Sequence, residues 1–318
     1  MSDPGTGVVQ QGTGSEASAG AATGGADVGL PGREASLWSD AWRQLRRNPL
    51  FVVSALIIIV FAVMAAYPQV FTSFYPGTAD PRSCSLSNTV GRPSASAWFG
   101  YDVQGCDYYA NVIYGARVSM IIGLATAVFS GMIAIVLGSL AGYYGGMLDT
   151  IISRITDIFF AIPTILGAIV ILNAIGERGL FQVTLVLVTL GWMTMLRLMR
   201  SSTIERRDAD FVDAARALGA NTPRVIARHI LPNALAPVIV YGTIFIGVAI
   251  SVEASLSFLG AGLQLPAISW GLMINGSFTR ILQAPHLLFF PGLFLSVLVL
   301  AFIVLGDALR DALDPRLR

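Results

Sequence analysis

The sequence predicts an all-α membrane protein with six transmembrane helices. Hydrophobic residues make up 54% of the 318 positions and charged residues only 12%, a balance that water-soluble domains of this length do not show. Mean hydropathy is +0.69. Six apolar stretches approach the roughly 20 helical residues that cross a bilayer core. They are residues 50–66, 118–141, 151–172, 181–196, 236–259 and 287–305.

Two of the predicted spans contain residues that shape a helix. Pro163 interrupts the third span, and Arg154 and Asp157 lie near its start, so we expect its first two turns to lie in the membrane interface. Gly138 and Gly142 form a GxxxG pair in the second span, a spacing that lets two helices approach closely. The sequence therefore predicts one irregular span and one close helix contact.

Arginine supplies every strong positive charge, because the chain contains no lysine. With a cytoplasmic N-terminus, fifteen arginines face inward, four face outward and Arg117 lies at an outer helix end. The inward set is Arg33, Arg43, Arg46, Arg47, Arg154, Arg197, Arg200, Arg206, Arg207, Arg216, Arg224, Arg228, Arg310, Arg316 and Arg318, and the outward set is Arg82, Arg92, Arg178 and Arg280. This bias predicts that both termini are cytoplasmic. The net charge of +1 gives no argument for nucleic-acid binding.

The chain divides into a tail and a membrane domain. Residues 1–36 are rich in Gly, Ala, Ser and Thr without an apolar period, which predicts a disordered cytoplasmic tail. The tail lacks the basic start and short apolar run of a signal peptide. Residues 37–318 form the transmembrane domain, with an extracytoplasmic loop at 67–117 and a cytoplasmic loop at 197–233.

The two cysteines, Cys84 and Cys106, both lie in the predicted extracytoplasmic loop. That compartment permits disulfides. Closing a loop of this length would stabilise the chain by about 3 kcal/mol on the chain-entropy model. The alternative is two separate buried thiols.

The composition argues against catalysis by this chain. A P-loop needs a lysine to reach the terminal phosphates, and none is present, so any ATP hydrolysis must take place on another polypeptide. The two histidines, His229 and His286, are predicted on opposite sides of the membrane, which excludes a histidine metal cluster. Without a histidine base on the same face, a serine triad is not expected either. We expect no catalytic residue, no metal site and no cofactor bound by this chain.

The cytoplasmic loop carries a helix–turn–helix pattern. Its apolar residues recur at the i, i+3, i+4 and i+7 spacing of one helix face, at Phe211, Ala214, Ala215 and Leu218. Gly219 suits a left-handed helix C-cap, and Thr222 with Pro223 suits the N-cap and first turn of a second helix. A structured basic loop of this size indicates a docking surface for another protein.

The same loop resembles a known family. Asp213-Ala214-Ala215, Gly219 and Leu231-Pro232 keep the spacing of the cytoplasmic loop in permease subunits of binding-protein-dependent ABC importers. Two positions depart from the family: Asp213 replaces the usual Glu, and His229 replaces an aliphatic residue. The resemblance implies that an ATPase docks on Asp213, Ala214, Ala215, Gly219, Ala220, Asn221, Thr222, Pro223, Leu231 and Pro232.

Further segments are similar to the second, C-type permease of the dipeptide, oligopeptide and nickel branch. They are residues 114–119, 253–260, 269–271 and 306–315. The branch usually has Gly-Arg-Asp where this chain has Gly105-Cys106-Asp107, and the substituted arginine favours a Cys84–Cys106 disulfide.

The resemblance implies a type I ABC importer permease fold in a bacterial cell membrane. The expected partners are a homologous permease, two ATPase domains or subunits that bind ATP and Mg²⁺, an extracytoplasmic binding protein, membrane lipid and a short peptide. Nickel chelates, haem and glutathione are alternative cargoes. A secondary transporter would need repeats and charged coupling sites at mid-membrane, which the sequence does not show.

Several charged residues allow two interpretations. Glu253, in an apolar stretch near the outer end of the fifth span, either lines the transport pathway with Arg117 or pairs with it structurally. Asp213 either contacts the ATPase or only pairs with Arg216 at i+3. Asp307, Arg310 and Asp314 suit helix-face pairs at the end of the sixth span.

Overall fold

The computed structural model describes residues 42–313, in which the regular elements are helices. Residues 1–41 and 314–318 lie outside this description, and with them the tail predicted at 1–36. The α-helices are α1 Pro49–Ala66, α2 Pro68–Thr72, α3 Tyr108–Tyr144, α4 Gly146–Phe160, α5 Thr164–Ile175, α6 Leu180–Thr189, α7 Met193–Arg207, α8 Asp210–Ala217, α9 Thr222–Arg224, α10 Leu231–Ala234, α11 Ala236–Phe258, α12 Trp270–Ser277 and α13 His286–Leu313. Short 3₁₀ turns occupy Leu86–Asn88 and Phe278–Arg280, and a π-helix occupies Val225–Ile230.

The membrane-crossing elements are four continuous helices and two bent pairs. By length and composition, α1, α3, α11 and α13 can each cross a bilayer alone. The pair α4–α5 is bent by 86° and the pair α6–α7 by 44°. Six spans result if each bent pair counts as one, which agrees with the number predicted. The interruption predicted at Pro163 in the third span is confirmed, because the chain turns sharply at residues 161–163 and α5 starts afresh at Thr164.

Several predicted boundaries are wrong because the helices continue beyond the apolar residues. α3 starts at Tyr108, ten residues before the predicted start at Val118, and its 37 residues span about 55 Å at 1.5 Å per residue. The predicted loop 67–117 therefore ends inside a helix. At the other end of the bundle, α7 continues to Arg207, so the predicted loop 197–233 also begins inside a helix.

α1 lies at the edge of the bundle. Asn48 caps it by accepting hydrogen bonds from the backbone N–H groups of Leu50 (2.9 Å) and Phe51 (3.4 Å), and Pro49 occupies its first turn. Phe61 and Met64 are buried toward α3 and α13, whereas most of its other apolar side chains are exposed. Because exposed apolar side chains are stable only in an apolar environment, this surface faces lipid.

The close contact predicted for Gly138 and Gly142 is confirmed. A Cβ at position 138 would lie 2.8 Å from the carbonyl oxygen of Leu196, and one at position 142 would lie 2.7 Å from that of Arg200. Both oxygens belong to the backbone of α7. Glycine is required here because only hydrogen fits between the two helix backbones.

We expect Gly138→Ala to lower the free energy of unfolding by about 1 to 3 kcal/mol, since the added methyl forces α3 and α7 apart. Gly242→Ala is the matched control, because no atom lies within 4 Å of a Cβ built in α11 at that position. Thermal unfolding in detergent measures both variants. Equal midpoints for the two variants would contradict the close α3–α7 contact.

Candidate functional site

The segment that follows α7 folds as a helix and a tight turn. α8 ends at Ala217, and Gly219 takes a φ of +83°. The Ala220 N–H donates to the Ala215 carbonyl (3.0 Å) and the Gly219 N–H to the Arg216 carbonyl (2.9 Å), which is the Schellman pattern. The left-handed conformation predicted for Gly219 is confirmed.

The second helix begins one residue earlier than predicted. Asn221, not Thr222, is its N-cap, and the Asn221 side-chain oxygen accepts a hydrogen bond from the Arg224 N–H (3.2 Å). Asparagine is the better cap because its oxygen reaches the third N–H of the helix, while Pro223 occupies the first turn. The chain continues through the π-helix into α10, which opens on Leu231 and Pro232.

The inner face of this segment is packed into the bundle. Val212, Val225 and Ile230 are fully buried in one apolar cluster with Ala141 of α3 and Met199 of α7. Side chains packed this tightly transmit displacement. Residues 208–234 are therefore firmly attached to the membrane helices.

The outer face is an exposed apolar ridge. The side chain of Leu218 is 89% exposed and that of Phe211 is 40% exposed, with Ala214 exposed between them. Of the four residues predicted to share one helix face, only Ala215 is buried, because Val212 and Ala215 form the packed side of α8. We call Phe211, Asp213, Ala214, Leu218 and Gly219 the coupling surface.

Arginines bind the base of the coupling surface to the end of α3. Arg216 pairs with Asp213 (3.0 Å), and its guanidinium lies 5.6 Å from the centre of the Tyr143 ring. Arg207 donates a hydrogen bond to the carbonyl of Gly142 (3.2 Å). A hydrogen bond to the Tyr143 hydroxyl and the nearby Asp213 carboxylate raise the pKa of Arg216 above its ordinary value, so it stays charged. The exposed Asp213–Arg216 pair contributes little stability by itself.

Two further ion pairs join α7 to α4. Arg200 binds the carboxylate of Asp149 with two nitrogens, one of them at 2.6 Å, and Arg197 binds that of Asp157 at 2.7 Å. The guanidinium of Arg197 also lies 4.0 Å from the centre of the Phe160 ring. The helix that leads into the coupling surface is thus held by polar contacts on α4 as well as by the packing of α3.

At the opposite end of α3, the loop before the helix is organised around Asp107. One carboxylate oxygen caps α3 by accepting from the N–H groups of Tyr109 (3.0 Å) and Ala110 (3.3 Å). The other oxygen accepts from the Tyr75 hydroxyl (2.7 Å) and the Thr78 N–H (3.3 Å). Burial and the Asp107 carboxylate raise the pKa of Tyr75 above its ordinary value, which keeps its hydroxyl a donor.

Asp107 was not among the predicted site residues, although it is fully buried. An aspartate placed directly before a helix is an N-cap signal, but the helix start had been placed ten residues later.

Next to Asp107 a disulfide joins Cys84 and Cys106, and the two residues also form an isolated antiparallel bridge. The disulfide and the carboxylate together attach residues 75–84 to the start of α3.

The hypothesis that Glu253 pairs with Arg117 is wrong. Arg117 donates to the carbonyls of Ala65 (2.7 Å) and Ala66 (3.0 Å) at the end of α1, where a cation complements the helix dipole. Glu253 is fully buried and accepts hydrogen bonds from the hydroxyls of Ser257 (2.9 Å) and Ser119 (3.4 Å). Arg117 therefore joins α3 to the end of α1, whereas Glu253 joins α11 to α3 through Ser119.

The chain matches one family over more than half of its length. Residues 134–318 match the family described as binding-protein-dependent transport system inner membrane component. Residues 36–86 match the N-terminal TM domain of oligopeptide transport permease C.

Curated relatives align with most of the chain. The oligopeptide transport system permease protein OppC of Bacillus subtilis is 36% identical, and the dipeptide transport system permease protein DppC of Alkalihalophilus pseudofirmus is 40% identical. Each alignment covers 89% of this chain and 91% of the relative. The glutathione transport system permease protein GsiD of Shigella flexneri is 38% identical over 88% of this chain and 91% of the relative.

A solved structure shares the fold. The MetNI methionine ABC transporter in an inward facing conformation has a chain that matches with a TM-score of 0.54 and 20% sequence identity. The match covers 64% of this chain and 97% of that chain.

We expect Asp107→Ala to destabilise the loop before α3, because it removes a helix cap and leaves the buried Tyr75 hydroxyl without an acceptor. The cap and the unpaired hydroxyl each contribute about 1 kcal/mol or more. Limited trypsin digestion after Arg82 reports the loosening as faster cleavage of the Arg82–Ser83 bond. Asp80→Ala is the control, since Asp80 is exposed and accepts only from the nearby Arg82 N–H. Cleavage of Asp107→Ala at the rate of this control would refute the role of Asp107.

Proposed function

The chain belongs to the family of binding-protein-dependent transport system inner membrane components, and from this membership we propose that it is the second permease subunit of an ATP-driven importer of short peptides. It is a multi-pass membrane protein with the type I ABC importer permease fold. The match of residues 36–86 to the N-terminal domain of oligopeptide permease C supports the assignment as second permease. The relatives named for oligopeptides and dipeptides support the peptide cargo.

The observation that carries the proposal is the coupling surface, an exposed ridge on a firmly packed base. An ATPase subunit docks on Phe211, Ala214 and Leu218, and Asp213 supplies a charge at the edge of the contact. ATP and Mg²⁺ bind on the ATPase subunits, so this chain is the non-catalytic component. An apolar ridge rimmed by charges is typical of a protein–protein contact.

Movement passes from the coupling surface to the membrane helices along a short route. The closing ATPase pair displaces α8, and the contacts of Arg207 and Arg216 with the end of α3 carry that displacement into the bundle. The permease pair then changes between inward-open and outward-open states. The ATPase pair can shift this equilibrium only if it binds the inward-open and outward-open permease with different affinity. Its closed and open forms provide that difference.

The orientation follows from the position of the ATPase. We place the coupling surface and both termini in the cytoplasm, in agreement with the distribution of arginines. The loop attached by Asp107 and the disulfide then lies outside, where an extracytoplasmic binding protein delivers the peptide. A homologous permease supplies the other half of the translocation pathway.

Glutathione is the second candidate cargo. The glutathione permease of Shigella flexneri is 38% identical to this chain, close to the identities of the oligopeptide and dipeptide permeases. Glutathione is itself a short peptide in its chemistry, so the same pathway suits both cargoes. Uptake of labelled dipeptide and of labelled glutathione by the reconstituted complex, with and without ATP, distinguishes them.

We predict that Asp213→Arg and Gly219→Val abolish coupling for different reasons. Reversing the charge of Asp213 should weaken ATPase association. Valine at position 219 strains a backbone that has a positive φ, by about 1 to 3 kcal/mol, and should misplace the turn while the ATPase stays bound. The assay is binding-protein-stimulated ATP hydrolysis in liposomes, with retention of the ATPase subunits measured alongside.

Two control variants separate these causes from general damage. Glu205→Arg reverses an exposed charge on α7, outside the coupling surface, and should behave as wild type. Gly219→Asn should retain more stimulation than Gly219→Val, because asparagine tolerates the left-handed region. Full stimulation and full ATPase retention in both Asp213→Arg and Gly219→Val would refute the proposed coupling role.

A further inference from the structure

A cavity of about 210 Å³ lies where the two bent helix pairs meet α11. The break between α4 and α5 contributes Ile162 and Thr164 to its wall, and the break between α6 and α7 contributes Leu190 and Gly191. Phe245 of α11 closes one side. Both breaks therefore open onto one space inside the bundle.

Aromatic packing shapes this wall. A Cβ at Gly191 would lie 2.5 Å from the Phe245 ring, so glycine allows the ring to reach the helix break. The rings of Phe245 and Tyr241 are stacked with centres 6.0 Å apart. Trp192 packs edge-on against Phe159 at 5.6 Å and donates a hydrogen bond to the Thr189 carbonyl (2.9 Å). The cavity is a preformed feature of the helix breaks.

The lining of the cavity is mainly apolar and uncharged, with a few hydroxyl groups. None of its fourteen residues is Asp, Glu, Arg or His, and four of them carry hydroxyl groups. The four are Thr126, Thr164, Thr194 and Tyr241. A wall of this chemistry offers no ligand to a metal ion and no partner to a charged side chain.

These four hydroxyls have no hydrogen-bond partner among residues 42–313. Three threonines elsewhere in the bundle behave differently: Thr156 of α4, Thr184 of α6 and Thr243 of α11 donate to the carbonyl four residues earlier, at 2.8 to 3.0 Å. Thr126 is completely buried, so its unpaired hydroxyl is unfavourable in the chain alone. Unpaired polar groups gathered at one cavity indicate that they bind something else.

The cavity continues toward the coupling end of the bundle. Tyr241 also lines a second hollow of about 440 Å³, whose wall includes Leu198, Pro237 and Arg310. Arg310 is the one charged residue in that wall. Tyr241 is the residue common to both linings, so it lies between the uncharged cavity and a hollow beside Leu198 of α7 and the end of α13.

We propose that this cavity is a substrate-contact site on the peptide's passage, where the hydroxyls of Thr164, Thr194 and Tyr241 hydrogen-bond to the amide groups of the peptide backbone. Thr126, which is closed off in this conformation, becomes a partner when the helix breaks move. Each hydroxyl can donate to a peptide carbonyl or accept from a peptide N–H. Because the wall binds the backbone common to all peptides, it accepts different side chains. This inference depends on the function proposed above.

The cavity is too small to enclose a peptide by itself. Pockets that enclose a small ligand measure about 300 to 1,000 Å³, more than this cavity provides. The homologous permease supplies the opposite wall when the two subunits face each other. The peptide is then enclosed between two such walls only in the assembled importer.

The test uses the complete importer in liposomes and labelled alanyl-alanine below saturation. Thr194→Val and Tyr241→Phe should each lower ATP-driven uptake about fivefold, the factor expected for one neutral hydrogen bond. Thr243→Val is the matched control, since Thr243 lies two residues from Tyr241, is already bonded to the Ile239 carbonyl and does not line the cavity. The thermal midpoints of all three variants, and their ATP hydrolysis without binding protein, should stay unchanged. If these hydroxyls had only a structural role, removing them would lower the thermal midpoint.

A charge placed in the wall gives an independent readout. Thr194→Asp should raise the uptake of lysyl-alanine relative to glutamyl-alanine at least tenfold above the wild-type ratio, and Thr194→Asn should leave the ratio unchanged. Wild-type uptake in Thr194→Val and Tyr241→Phe, with an unchanged ratio in Thr194→Asp, would overturn the inference and leave the importer assignment standing. A wild-type complex without ATP-driven peptide uptake would overturn the proposed function and the inference together.

Discussion

The close approach of α3 and α7 is the contact on which the rest of the structure depends. Gly138 and Gly142 bring the α3 backbone against the carbonyls of Leu196 and Arg200, so the two helices touch without intervening side chains. α7 leads directly into the coupling surface, and α3 extends through the bundle to the loop attached by Asp107. The α3–α7 contact therefore lies on the mechanical route between the two ends of the protein.

The two ends are built by different means. At the coupling end, the apolar packing of Val212, Val225 and Ile230 holds the segment, and arginines bind backbone and carboxylate oxygens at its margin. At the other end, a buried carboxylate and a disulfide organise a loop whose aromatic rings, Trp98 and Phe99, pack against the start of α3 and against α13. Between them, the breaks in α4–α5 and α6–α7 interrupt the regular helices, so this is where the bundle most easily changes shape.

Sequence patterns predicted the features that depend on local chemistry. The positive φ of Gly219 followed from its place after an amphipathic helix, and the contact at Gly138 followed from residue size. The interruption at Pro163 followed from the proline, but the break at Gly191 was harder, because an apolar run without proline reads the same whether it is straight or bent by 44°. The partners of Glu253 and Arg117 were mispredicted because hydropathy contains no information about which helices lie side by side. The four cavity hydroxyls are dispersed over 116 positions of the chain, from Thr126 to Tyr241, and only the fold brings them together.

The proposed binding surface for the ATPase is the exposed ridge at residues 211–219. A photoreactive amino acid in place of Leu218, 89% exposed, tests it most directly when the assembled importer is irradiated and its cross-linked products are identified. The same substitution at Leu86, 81% exposed at the opposite end of α3, is the control. We expect a cross-link to the ATPase subunit from position 218 and none from position 86. No ATPase cross-link from position 218, or one from position 86, would contradict it.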